Sequence, residues 1–176
     1  MHLKASRYTV FPKQKLEYDF EIVELVEIKA IDVSIKLVSI NLKITAIYRS
    51  PESCSHKFND LSFNCIENYK TTDYHVIAGD ININLLETDE YIEDYKNISS
   101  SFAYESYINR VTRPVTKKCL DHFYVKKKGI SPSTNLSAFI VQQDITDHYT
   151  TILSLPVIEP LKSQAERTKR YMNYNI

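Results

Sequence analysis

Between Tyr18 and Tyr48 apolar side chains return at every second position in three successive stretches. Phe20, Ile22, Val26 and Ile28 alternate with Glu21, Val23, Leu25 and Glu27. Val33 to Ile40 alternates again, and from Asn41 the residues Leu42, Ile44, Ala46 and Tyr48 share one face. A period of two fits a pleated strand with one face buried, whereas a helix repeats every ~3.6 residues. The pattern therefore predicts two or three long antiparallel strands. Arg49-Ser50-Pro51 ends the last of them, because proline has no N–H to give a ladder.

Downstream the period changes. Phe58, Leu61, Cys65 or Ile66, and Tyr69 recur three or four apart, which predicts an amphipathic helix over His56 to Tyr69. A second, short helix is expected from Asp89 to Ile98, with Tyr91, Ile92, Tyr95 and Ile98 on one side and Ser99-Ser100-Ser101 as the loop after it. Further strands are expected at Val76–Ala78, Phe102–Ile108, Cys119–Val125, Leu136–Val141 and Thr150–Val157. Many strands with few helices imply an α+β sandwich rather than a strict βαβ array. At 176 residues one domain is expected, over residues 18–158. Before it lies an irregular segment, 1–17, and after it a charged tail or linker, 159–176.

Lys+Arg and Asp+Glu both number 22, which argues against a non-specific polycation but leaves room for a local basic groove. Cys54, Cys65 and Cys119 form no CxxC, so free thiols in a reducing compartment are expected. Met1 to Arg7 lacks the apolar core of a secretory signal, and no run reaches the roughly 18 apolar residues that cross a bilayer. The expectation is a soluble, intracellular protein.

Polar residues gather where strands meet loops. Val76-Ile77-Ala78-Gly79-Asp80-Ile81-Asn82-Ile83-Asn84 ends an apolar run in an acid and two amides. An extended backbone would turn Asp80, Asn82 and Asn84 to one side, as a set of oxygen ligands for a metal or a phosphate. The alternative is a plain turn, since Gly, Asp and Asn all form turns. Three similar clusters follow the same logic: Tyr48-Arg49-Ser50-Pro51, then Thr112-Arg113-Pro114 with Leu120-Asp121-His122, then Asp144-Ile145-Thr146-Asp147-His148-Tyr149. For Tyr48 the alternative is a core residue, and for Asp147-His148 a cap or surface pair. His122 is expected to be exposed. Asp121 lies between apolar residues and needs a partner, because an unpaired buried carboxylate is costly. Together these residues supply what phosphodiester hydrolysis requires: carboxylates for a cation, an acid or base, and neutral donors for phosphate oxygens.

The order Tyr-Arg-x-Pro, Gly-Asp-x-Asn, Thr-Arg, Leu-Asp-His and Thr-Asp-His resembles the endonuclease/exonuclease/phosphatase superfamily. More narrowly, it is similar to the endonucleases of non-LTR retrotransposons, which are themselves like apurinic/apyrimidinic endonucleases. The resemblance spans about residues 18 to 158. It implies a four-layer α/β/β/α sandwich of two mainly antiparallel sheets, with the site at one end between them. It implies a Mg²⁺- (or Mn²⁺-) dependent DNA endonuclease, nuclear, and joined in a full element to a reverse transcriptase that this chain does not contain. By position, Tyr48 would donate to the scissile phosphate, Asp80 would act on the attacking water or leaving oxygen, and Asn82 would bind the phosphate. Asp121 would pair with His148, which would contact the phosphate. Asp147 would bind or influence the metal, and Thr112 and Arg113 would line the DNA groove. Lys117, Lys118 and Lys126–Lys128 could add phosphate contacts, though the triple lysine also reads as a solvated face.

One departure carries weight. The family's first strand with an Asn, and the next with a metal-ligand Glu, have no counterpart here, and Glu21, Glu24 and Glu27 lie on a later strand. The expectation is a chain truncated at its N-terminus, with metal binding and activity impaired. The alternatives are a non-catalytic remnant that binds nucleic acid or a partner, and a sibling phosphatase acting on phosphoinositides or nucleotides.

Overall fold

The computed structural model describes residues 17–25, 28–36, 40–53, 58, 72–129, 136–143 and 145–155. The expected tail at 159–176, nearly all of segment 1–17, and the expected helix at 56–69 apart from Phe58 lie outside them.

Three antiparallel strands open the fold: β1 (Glu17–Leu25), β2 (Ile28–Lys36) and β3 (Asn41–Arg49). The second begins earlier than the alternation from Val33 predicts, because Asp32 is accommodated inside it. The Asp32 carboxylate accepts from Thr45 Oγ1 at 2.6 Å and pairs with Lys43 Nζ at 3.0 Å, so a buried charge is matched within the sheet. β3 runs parallel to β4 (Tyr74–Asp80). Then come helix α1 (Glu90–Ser101), the short β5 (Glu105–Ser106) and β6 (Asp121–Lys127). These strands make one sheet in the order β1-β2-β3-β4-β6-β5. A second sheet pairs β7 (Ser137–Val141) with β8 (Thr150–Ser154), antiparallel.

β4 is the central strand and is buried on both faces, which is why it reads as an unbroken apolar run. On one face Ile77 packs with Ile47, Tyr124 and the α1 residues Ile92 and Tyr95. On the other, Val76 and Ala78 pack with Leu42 and Val125, and Leu136, Leu153 and Leu155 from around the second sheet close over them. Two mostly antiparallel sheets with a helix on the outer face match the expected sandwich, and the parallel β3–β4 pair is its one exception among the described strands.

Ser99-Ser100-Ser101 is not a loop but the last turn of α1. Their hydroxyls donate to the carbonyls of Tyr95, Lys96 and Ile98 at 2.7–2.9 Å, which satisfies the side chains without leaving the helix. Gly79 is dictated by space: with φ +148°, a Cβ there would lie 1.8 Å from the Ile47 carbonyl oxygen on β3. After β4 the backbone leaves the extended form at Asn82, where φ is +53°. Asp80, Asn82 and Asn84 therefore do not share one strand face. Ile81, Ile83 and Leu85 still turn inward, held by Ile81 N to Leu120 O at 2.9 Å and Leu85 N to Cys119 O at 3.2 Å. Asn84 is a brace, its Oδ1 accepting from Cys119 N at 2.8 Å.

Candidate active site

Three neighbouring strands end in a row. Tyr48 on β3 is in register with Asp80 on β4, and Asp80 with Asp121 on β6. Residues in register on adjacent strands project to the same side of a sheet. The face is the one over which Leu153 and Leu155 pack, so the row lies where the two sheets meet. From the loop before β8, His148 enters with Nδ1 2.8 Å from Asp121 Oδ2, and both side chains are largely buried. Asp121 thus has the partner its setting demands. Asp80, Asp121 and His148 each offer a ligand atom within 4.8 Å of the others.

The electrostatics of this group are unbalanced. Burial raises the Asp80 carboxyl above its ordinary range, and the neighbouring Asp121 carboxylate raises it further. His148, the Asn82 backbone N–H and Arg113 oppose the shift. Asp80 Oδ1 is buried and accepts no hydrogen bond among the described residues. A buried, unmatched carboxylate oxygen beside a second carboxylate is a site short of positive charge, and a divalent cation fits that deficit. Asp80, Asp121 and His148 are the residues that could hold one.

The remaining residues singled out in the sequence divide. Tyr48 is 41% exposed, not a core residue. Asn82 places its backbone N–H on Asp80 and its side-chain Nδ2 on Arg49 O, at 2.8 Å. Asp147 stands beside the cation-sized group without joining it, its Oδ2 accepting from Arg113 Nη2 at 2.9 Å. Thr112, expected to line the DNA groove, has a fully buried side chain whose Oγ1 accepts from the backbone N–H of Leu120 and Asp121. Arg113 is partly exposed and is the member of the Thr-Arg pair that can reach a ligand.

His122 is buried rather than exposed. Its Nε2 lies 2.9 Å from Ile83 O and its Nδ1 3.3 Å from the Tyr95 hydroxyl, and burial pushes its pKa down to about 4. It is a neutral structural residue. The lysines of β6, Lys126 and Lys127, lie at the opposite end of that strand, five and six residues from Asp121 and so about 16–20 Å away at ~3.3 Å per residue. Lys126 sits over the Tyr104 ring and Lys127 pairs with Glu105 at 3.8 Å, so neither faces the row. Arg49 has a role that its sequence position does not imply. It is buried and donates from Nη1 to Ile81 O and Asn82 O and from Nη2 to Ser53 O. An arginine inside an apolar alternation just before a Pro turn was the available signal.

Solved structures share this architecture. The chain superposes on the endonuclease domain of TRAS1, a telomere-specific non-LTR retrotransposon, with a TM-score of 0.58 over 78% of this chain and 67% of that one, at 10% identity. The fold is that of the endonuclease/exonuclease/phosphatase proteins. An endonuclease/exonuclease/phosphatase family protein from Leptotrichia buccalis matches with a TM-score of 0.59 over 80% of this chain and 61% of its own length, at 12% identity. D. rerio TDP2 complexed with single strand DNA product matches at 0.54 over 76% and 64%, at 10% identity. This chain thus spans about two thirds of the endonuclease/exonuclease/phosphatase structures that it matches. No family model matches the sequence, and no curated protein sequence does. Among the described residues no helix is long and apolar enough to cross a membrane.

Proposed function

We propose that this chain is a divalent-metal-dependent phosphodiester hydrolase acting on DNA, of the retrotransposon-endonuclease type. The observation that carries the reading is the convergence of Asp80, Asp121 and His148 at the end of the sheet, in the same row as Tyr48. Asp80, in register with Tyr48 on one side and Asp121 on the other, is assigned the task of taking a proton from the attacking water. Asp121 accepts from His148 Nδ1 and fixes the ring, leaving Nε2 for a non-bridging phosphate oxygen. The exposed Tyr48 hydroxyl and the Arg113 guanidinium supply further donors where negative charge develops. Asp80 and Asp121 would help to hold a Mg²⁺ or Mn²⁺ ion, which would supply stabilisation of the charge on the phosphate. Asp147 would act on that ion only once its pair with Arg113 opens.

A hard cation held by two carboxylates and an imidazole has few charged oxygen ligands, so its binding should be weak. That observation supports a second reading, a nucleic-acid-binding remnant without activity. Nicking of supercoiled plasmid in Mg²⁺ and in Mn²⁺, with Asp80→Ala and His148→Ala alongside, separates the two. Metal-dependent nicking lost in both variants supports the hydrolase. No nicking, with no metal-induced rise in melting temperature, supports the remnant. Equal nicking by all three proteins would expose a contaminant. Release of phosphate from phosphoinositides or nucleotides, with DNA untouched, would replace the endonuclease by a phosphatase.

A further inference from the structure

We propose that Thr112 is the positioning residue of the Asp121–His148 pair, an inference that rests on the hydrolase reading for its catalytic consequence but not for its geometry. The two members of the pair come from different elements, Asp121 from the start of β6 and His148 from the loop before β8. One buried residue is bonded to Asp121 itself and to Tyr149, the residue after His148. Thr112 Oγ1 accepts from Leu120 N at 2.9 Å and Asp121 N at 3.1 Å, which fixes the backbone that carries the carboxylate. Thr112 O accepts from Tyr149 N at 2.7 Å, which fixes the backbone next to the imidazole. Thr112 N donates in turn to Lys118 O at 3.0 Å, so the clamp is anchored in the turn that follows.

The chemistry of the position is restrictive. A hydroxyl has two acceptor lone pairs, and here two backbone N–H groups use them, in a place with no solvent access. Valine has the same shape and no acceptor, so it would strand both N–H groups and displace the start of β6. Serine keeps the acceptor and loses only a methyl. The carbonyl bond to Tyr149 is common to all three, but its direction depends on the backbone that the hydroxyl holds. The adjacent Arg113–Asp147 pair ties the same two segments at the surface, which makes Thr112 the inner and Arg113 the outer of two links.

The test uses Thr112→Val and Thr112→Ser in the full chain. The readouts are the downfield Nδ1–H proton resonance of His148, amide exchange at Leu120, Asp121 and Tyr149, and plasmid nicking. In the valine variant the resonance should vanish and the three amides should lose protection, while α1 amides keep theirs. Its kcat should fall about 100-fold, the cost expected of a ~1 Å misplacement, with KM changed less than about threefold. The serine variant should retain the resonance and nick within about threefold of the parent. Should valine prevent folding, Thr112→Ala, which leaves room for a water, is read by the same criteria. A His148 resonance that persists in the valine (or alanine) variant, or that is lost equally in serine, overturns the proposal. Absence of nicking by the parent refutes the hydrolase reading instead, and the resonance and exchange data still decide the role of Thr112.

Discussion

Asn82 and Arg49 hold each other reciprocally: Asn82 Nδ2 donates to Arg49 O at 2.8 Å, and Arg49 Nη1 donates to Asn82 O at 3.3 Å. The exchange locks the end of β3, which carries Tyr48, to the segment after Asp80. It also explains why Asn82 takes a left-handed φ of +53°, a conformation asparagine tolerates better than most residues. The guanidinium serves three carbonyls at once, which a lysine ammonium on a flexible stem cannot reproduce. Arg49→Lys should therefore destabilise the protein by about 2–4 kcal/mol, as loss of a buried charge-assisted network does. Urea unfolding of the two proteins measures it, and a difference below ~0.5 kcal/mol would mean that the clamp is not needed.

Acid should loosen the fold well before the carboxylates of the surface are protonated. Burial lowers both His75 and His122 from 6.5 to about 4. His75 sits in a buried chain with Thr45 and Tyr104, and His122 under Tyr95 and Tyr124. A histidine whose folded pKa is depressed contributes stability that is whole above the unfolded value and is lost as pH falls toward the folded one. The window is thus pH 6.5 down to about 4. Each shift corresponds to roughly 3 kcal/mol at most. Chemical unfolding at pH 7.5 and 4.5 should show a clear fall in midpoint, and His122→Gln should flatten that dependence even though it lowers stability at pH 7.5.

The two glycines should respond to alanine in opposite degrees. At Gly79 the new Cβ meets the backbone of Ile47, which is fixed by the parallel ladder and cannot yield. Gly79→Ala should cost about 3 kcal/mol or more and push β3 away from β4, separating Tyr48 from Asp80. At Gly129 nothing among the described residues lies within 4 Å of an added Cβ, and the φ of +65° is what opposes a side chain there. That penalty is about 1 kcal/mol. Thermal melts of both variants rank them, and a Gly79 variant as stable as the Gly129 variant would contradict the close approach.

How far the sequence was legible follows from the range of each signal. The alternation of Tyr18–Tyr48 and the apolar run at Val76–Ala78 are repeated over many residues, so β1 to β4 could be read from them. Tyr48, Asp80, Asn82, Asp121, Asp147 and His148 stand out together as polar residues where strands meet loops, and only the resemblance implies that Asp121 pairs with His148. What escaped depends on single contacts. Nothing local to Leu120-Asp121-His122 distinguishes the largely buried Asp121 from the wholly buried His122, because their opposite faces are covered by His148 and Tyr95 from far along the chain. Thr112 reads like any turn threonine until Leu120 and Asp121 are seen to bond to it. Asp147 and His148 are adjacent in sequence, yet only one joins the carboxylates, because Arg113 engages the other.

Asp80 offers the test that separates stability from function at the same atom. Its folded pKa is raised, by burial first and by Asp121 second, so ionisation is disfavoured in the folded state. Between the unfolded value of 3.8 and the higher folded one the native protein binds more protons than the unfolded chain. Stability from this group is accordingly greatest at low pH and declines as pH rises through that interval, then stays at the lower level. Asp80→Asn removes the charge and keeps the shape. In the absence of divalent cations it should raise the urea midpoint at pH 7, with the gain shrinking as pH falls through the raised folded value and gone below pH 3.8. A saturating cation should reverse the order, since an ion that binds only the native state stabilises by its own binding free energy. At a Mn²⁺ concentration 100 times the dissociation constant the parent gains about 2.7 kcal/mol, and the asparagine variant gains much less. Equal gains in parent and variant would place the cation elsewhere, and a variant less stable than the parent without metal would show that some donor already matches the Asp80 carboxylate.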